Sequence, residues 1–296
     1  MRFKLHTASG MKKRFAPAAA ALLCVVAAAF SSQGQTPSPA PQQNEDAARA
    51  RAEQVLKQAR EATRAGLKGA EIKSLFVKSV IETSLNVPQM RNKKIRGTTD
   101  EELSVSLPDK LRTKGDANYT TNQEISEWVI NGDRVSSRSD VLVDGTPVNF
   151  IIKSQFDSDQ KKIATHKNYV FTILFPVIFD SSWYPVSGFR HVGIAEANGT
   201  KADVIETTSP TAAVYRLFFD QQTHLLLLLS EKWVSEASKK ERERKHFFSD
   251  YRKADGLLAA HKIVVEENGE VVEERVIKRL QINPAFGENF FAVKGK

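Results

Sequence analysis

The sequence predicts an α+β chain, mostly antiparallel β: a highly curved, half-open β-barrel with an N-terminal helix and a central lid or plug helix. Three observations predict it. Short alternating or β-branched segments recur with tight-turn residues between them. Two longer stretches carry helical periodicity, and strand-like runs flank the second on both sides. No run of alternating strands and helices of the kind that builds a parallel sheet is present.

The first 32 residues read as a signal peptide. Lys12, Lys13 and Arg14 precede an uncharged run from Ala16 to Phe30, which is short for a spanning helix, and small residues follow it. Met11 is an alternative start, with residues 1–10 an upstream extension. Cys24 follows Leu23 where a lipidation site requires a small residue, so it reads as an apolar residue of the signal. Export to the periplasm is the expectation. Residues 33–43 are a Pro/Gln/Ser linker expected to be disordered, and 44–296 a single β domain.

The charge reads differently once the signal is set aside. The whole chain is +8 at pH 7, which invites a nucleic-acid reading. Residues 1–35 hold five basic residues and no acid. Without them the 43 basic residues fall to 38 against 35 acids, a formal +3. No nucleic-acid partner is expected. The single cysteine leaves with the signal, so thiolate chemistry, disulfides and cysteine–metal sites are excluded from the remainder.

The first helix is expected from about Glu45 to Ala65, capped by Asn44 and ended by Gly66, with Ala48, Ala52, Val55, Leu56, Ala59 and Ala62 on one stripe. Strands follow at Ile72–Leu85, Glu101–Leu107, Glu124–Ile130 and Arg134–Val143, the last two ending at Asn131-Gly132 and Asp144-Gly145. In the second half they are Gly188–Ala197, Lys201–Thr207, Ala213–Asp220, Leu225–Ser230, His246–Tyr251, Leu258–Glu266 and Val271–Asn283. About ten strands with short turns favour one curved antiparallel sheet. The mixed-sign run Lys239–Lys245 reads as a solvated loop or hairpin extension.

A central helix is expected from Asp157 or Ser158 to about Phe175, stopped by Pro176. Its end runs into Phe179, Trp183 and Tyr184 and is unusually apolar. It reads either as a core plug or as a lid over a greasy cavity. The candidate lining residues are Phe171, Leu174, Phe175, Ile178, Phe179 and Trp183, together with Tyr215, Leu217 and Phe219 on one strand face. Arg216 marks the opposite, outward face.

Catalytic motifs are missing from the sequence. The six histidines show no metal-ligand spacing, Pro185–Phe189 departs from a nucleophile elbow, and no phosphate-binding glycine loop occurs. His191 on a strand reads as a hydrogen-bonded or surface histidine. Neither an enzyme nor a metal or other cofactor is expected.

Leu103-Ser104-Val105-Ser106-Leu107-Pro108-Asp109-Lys110-Leu111-Arg112 resembles the strand and Pro-x-Lys-x-Arg turn of the LolA/LolB-type outer-membrane lipoprotein carriers. Asn131-Gly132-Asp133 stands where that family has an Asp-Gly hairpin. Ala202–Glu206, Leu217–Asp220 and Phe248–Tyr251 are similar to lipoprotein-sorting-like proteins. The resemblance implies a LolA-like curved sheet closed by helices, with an apolar interior for acyl chains and Arg112 as the nearest counterpart of a lid latch. The family's basic residues before the proline are replaced here by Ser106-Leu107, and Ser235–Lys245 has no counterpart. The implied role is an exported carrier or binding protein for lipoprotein or lipid acyl chains, working without covalent chemistry beside inner- or outer-membrane transport components. A periplasmic regulatory or protein-interaction module on the same fold is the alternative, and a hydrolase the third reading.

Overall fold

The computed structural model describes residues 45–87, 93–120, 122–143, 146–148, 159–178, 187–209, 213–235 and 238–293. The signal, the linker, Asp144-Gly145, the caps Asp157 and Ser158, Phe179 and Trp183 lie outside them. Helix α1 (Glu45–Arg64) leads through a 3-10 turn into β1 (Ser74–Val87), β2 (Lys93–Ser106), β3 (Lys110–Tyr119), β4 (Gln123–Asn131), β5 (Arg134–Val143) and β6 (Thr146–Val148). Helix α2 (Asp159–Ile178) follows. The chain then continues through β7 (Ser187–Ala197), β8 (Thr200–Thr208), β9 (Val214–Asp220), β10 (Leu226–Val234), β11 (Glu241–Ala254), β12 (Leu257–Glu267) and β13 (Glu270–Ile282).

Among the described residues these form one 13-stranded sheet in the order β6-β5-β4-β3-β2-β1-β13-β12-β11-β10-β9-β8-β7. Every pairing is antiparallel. Each half is a meander, and the first strand joins the last at a central seam, with Leu75 opposite Ile282. The sheet is curved and unclosed, with β6 and β7 as its free edges. Helix α2 lies between those edges in the chain, so the connection from one edge to the other runs through it.

Two-residue turns set much of this register. Asn198-Gly199, Asp255-Gly256 and Asn268-Gly269 hold both residues at positive φ, the twist that matches flanking strands. Gly256 has a second duty. A Cβ on Gly66 would lie 2.4 Å from the Gly256 carbonyl oxygen, so two glycines let the end of α1 rest on the β11–β12 turn. The stripe of α1 packs as its periodicity predicts, with Ala48, Ala52, Val55, Leu56 and Ala59 buried. Small side chains bring the helix close to the sheet.

Three sequence expectations are corrected. Strand β3 occupies a polar stretch in which Leu111 and Ala117 are the buried residues. Ladders to β2 and β4 on both sides impose strand geometry that its own composition hides. Thirteen strands form where eleven segments were named, the additions being β3 and β6. For Lys239–Lys245 the structure takes the hairpin-extension alternative: β11 begins at Glu241 and pairs with β10 through Arg242, Glu243, Arg244 and Lys245. Helix α2 does not stop before Pro176 but carries it and ends at Ile178. Within two residues of the helix end, proline forfeits little more than its own N–H bond, and buried Val177 and Ile178 offset that loss.

Candidate functional site

The inner face of the sheet follows from strand alternation. Leu75 and Val77 of β1, Leu103 and Val105 of β2, Leu111 of β3 and Ile130 of β4 share one apolar core with Tyr215, Leu217 and Phe219 of β9 and with both helices. Tyr215, Leu217 and Phe219 are buried while Arg216 is exposed, so β9 turns the face inward that its sequence indicated. From Val170 to Ile178 every residue of α2 is buried. Phe171 sits 4.9 Å from Phe175 and 5.2 Å from Tyr215 between ring centroids, which brings three of the sequence candidates together in the core cluster that also holds Leu174, Ile178, Leu217 and Phe219. The buried end of α2 packs directly on this face.

Toward the opposite ends of the strands the inner face becomes polar. Arg275 of β13 is 1% exposed and pairs with Glu101 of β2, with Ser79 at 2.9 Å and with Glu273 at 3.1 Å. Burial alone would lower the Arg275 pKa, but Glu101, Tyr169 and Glu273 outweigh it and raise it, so the guanidinium stays charged. The hydroxyl of Tyr169, on α2, bonds to Glu101 and Arg275. Its pKa is raised well above the phenol range by burial, which keeps it a neutral donor. One residue earlier, Asn168 donates to Glu231 of β10 at 3.1 Å, and the Tyr215 hydroxyl bonds to Asn168. His166 stacks on Trp128 of β4 at 3.8 Å. Two adjacent residues thus tie α2 to opposite halves of the sheet.

Helix α1 supports this arrangement from the side. Arg51 reaches Asp203 of β8 at 3.1 Å, and Asp203 also meets His191 Nε2 at 2.9 Å. His191 is therefore a buried hydrogen-bonded residue. Burial raises the Asp203 pKa, but bonds from Arg51 and His191 outweigh it, and the carboxyl lies below its ordinary value. Arg64 donates to the Val177 carbonyl at 2.5 Å, placing a cation at the C-terminal end of α2.

Arg112, the expected latch, is placed elsewhere. It alternates with inward Leu111, faces the outer side, pairs with Glu127 at 2.6 Å and donates to the Phe290 carbonyl at 3.3 Å. Its guanidinium lies 4.7 Å from the Phe290 ring centroid. The resemblance suggested a latch on β3; the strand side chains that hydrogen-bond to Asn168 and Tyr169 of α2 are instead Glu101, Arg275, Tyr215 and Glu231. A signal for two of them was present. Glu101 shares a phase with Leu103 and Val105, and Arg275 with Ile277, so opposite charges stand at inward positions of two strands.

A groove of about 610 Å³ is lined by Thr83, Thr98, Val272 and the Arg275 partner Glu273, and two others lie apart from this interior. One of about 280 Å³ runs beside Arg112, Phe76 and Phe286, and one of about 480 Å³ beside Asp116, Ile125 and Arg138. No group of three or more metal-ligating side chains occurs among the described residues, and no described helix is long and apolar enough to cross a membrane.

No family model matches the chain, and no curated protein is similar to it. Solved structures to which it is similar include the following three. A DUF1329 family protein from Desulfovibrio piger is 11% identical, with a TM-score of 0.44 over 81% of this chain and 96% of that one. A LolA superfamily protein from Nitrosomonas europaea is 11% identical, with a TM-score of 0.42 over 81% and 97%. The Mycobacterium tuberculosis lipoprotein LppX is 13% identical, with a TM-score of 0.28 over 80% and 98%.

Proposed function

We propose that this chain is an exported carrier or binding protein that holds acyl chains of a lipoprotein or lipid on the concave face of its sheet, with α2 as a displaceable lid. The observation that supports this most is the seating of α2. Its nine buried C-terminal residues, eight of them apolar, lie inside an unclosed sheet, while its polar ties to the strands come from Asn168 and Tyr169. A helix that fills an apolar trough can be exchanged for another apolar body.

The energetics suit reversible exchange. Each methylene leaving water contributes about 0.8 kcal/mol, so a twelve-carbon chain gains roughly 10 kcal/mol before ordering costs. Exposing Phe171, Leu174, Phe175 and Ile178 costs about 1.5–3 kcal/mol each, a sum of the same order. Closed and loaded forms then lie within a few kcal/mol, as cargo release requires. Phe179 and Trp183 extend the same apolar segment and belong to the proposed lining. No covalent step enters. The partners in this reading are membrane transport components that deliver and accept the acyl chains in the periplasm.

Native mass spectrometry of the protein purified from its own periplasm tests the reading. A co-purifying lipid or lipoprotein is expected. A bare protein that also ignores twelve-carbon acyl probes would sink it.

A further inference from the structure

The plug leaves a set of polar atoms on the inner face unexplained. Strand pairing sets Tyr215, Glu231, Arg244 and Glu267 side by side across β9 to β12. His246 lies one inward position along β11 from Arg244, between Leu229 and Val265. It is 6% exposed, and neither ring nitrogen has a hydrogen-bond partner. The Nε of Arg244 is likewise buried without one. Buried polar groups are nearly always bonded, so three orphaned atoms at neighbouring positions mark a place where a bound group supplies the partners.

Their chemistry defines that group. Burial, with Arg244 and Arg275 adding to it, holds His246 neutral, so one ring nitrogen donates and the other accepts. The Arg244 Nε–H is a second donor. The complement is a head with two acceptor oxygens and one donor, such as a hydroxyl beside an ester, or an amide. Charge argues the same way. Arg275 already pairs with Glu101 and Glu273, Arg242 and Arg244 share Glu267, and Glu231 adds a further carboxylate. An anionic head meets no free cation here.

We infer that the interior selects amphiphiles with an uncharged head that both donates and accepts hydrogen bonds, glyceride- or amide-like, seated at His246 and Arg244. The acyl chain then runs over Leu229 and Leu217, which share the His246 row, toward the apolar floor. This rests on the carrier reading and names the class of head it carries.

Displacement of a fluorescent acyl probe by 1-dodecanoylglycerol, dodecyl phosphate and dodecane tests it. The expected result is about tenfold tighter binding of 1-dodecanoylglycerol than of dodecyl phosphate, as one well-made buried hydrogen bond gives. His246→Leu abolishes that preference and His246→Gln, which keeps a donor and an acceptor, retains it. Equal binding of all three probes leaves the carrier reading standing and overturns this one; binding of none overturns both. A preference that survives His246→Leu, or tighter binding of dodecyl phosphate, also overturns the head-group inference. On the wild-type protein, the His246 ring NMR resonances shift with 1-dodecanoylglycerol and not with dodecane. An unmoved ring refutes the inference without any variant.

Discussion

The two halves of α2 meet the same sheet by different physics. From Val170 to Ile178 the contact is apolar and continuous, with no direction preferred beyond shape. From His166 to Tyr169 it consists of a stacked ring and hydrogen bonds to Glu231, Glu101 and Arg275, each satisfied in one position of the helix. The apolar half supplies most of the attraction and the polar half fixes where the helix sits. An amphiphile that replaces the first contact gains nothing toward replacing the second. The position of α2 and its affinity for the sheet are therefore separable by mutation.

Truncating the apolar half is expected to cost most. Phe175→Ala should destabilise the protein by about 3–5 kcal/mol in urea unfolding, and a saturating acyl ligand should reduce that deficit by filling the space left. In the polar half, Arg275→Met strands Glu101 in the interior and should cost roughly 3–5 kcal/mol. Arg275→Met combined with Glu101→Leu should recover most of the loss in the same measurement. If the double variant is no better than the single one, the pair is not the anchor described.

Acid should loosen the same region. His246 sits near pKa 3 in the folded state against 6.5 for a free histidine, because burial, Arg244 and Arg275 oppose its protonation. The unfolded chain takes the proton first, so this contribution to stability is complete above pH 6.5 and is lost as pH falls toward 3. The slope is at most about 1.4 kcal/mol per pH unit, and His246→Leu should flatten it. Burial lowers the His166 pKa too, which adds to the loss in the same direction.

A smaller effect is expected from Tyr169→Phe, about 1–2 kcal/mol, but acyl-probe exchange followed by stopped flow should quicken severalfold. Arg112→Ala should cost about 1 kcal/mol or less and leave exchange unchanged, since its partners are Glu127 and the Phe290 carbonyl on the outer side. Faster exchange in Arg112→Ala would return the latch to β3.

What the sequence made legible follows from which signals are local. The α1 stripe, the Asn-Gly turns and the inward Tyr215–Leu217–Phe219 face depend on periods of 3.6 and 2 or on turn chemistry, and all are where those rules place them. Strand β3 was hidden because its ladders on both sides, not its side chains, make it a strand. Arg275 and Glu101 were hidden for a related reason. They stand 174 residues apart, and only the seam between first and last strand brings them together. Arg112 was assigned to the latch by analogy of motif, and its alternation with Leu111 would have turned it outward. Asn168 and Tyr169 sit at the border where the helix turns from polar to apolar, a border visible in the sequence and given no weight.

The central seam has a mechanical consequence. With β1 beside β13, the sheet grows outward from the place where the chain begins and ends it, and its two margins are strung together through α2. Flattening or tightening the trough breaks no strand pairing, because curvature is a soft, distributed deformation. It does change the distance between the margins, and the helix between them must follow. Under the carrier reading proposed above, a bulky guest that spreads the trough would move the two margins that α2 joins in the chain, and so bear on the lid as well.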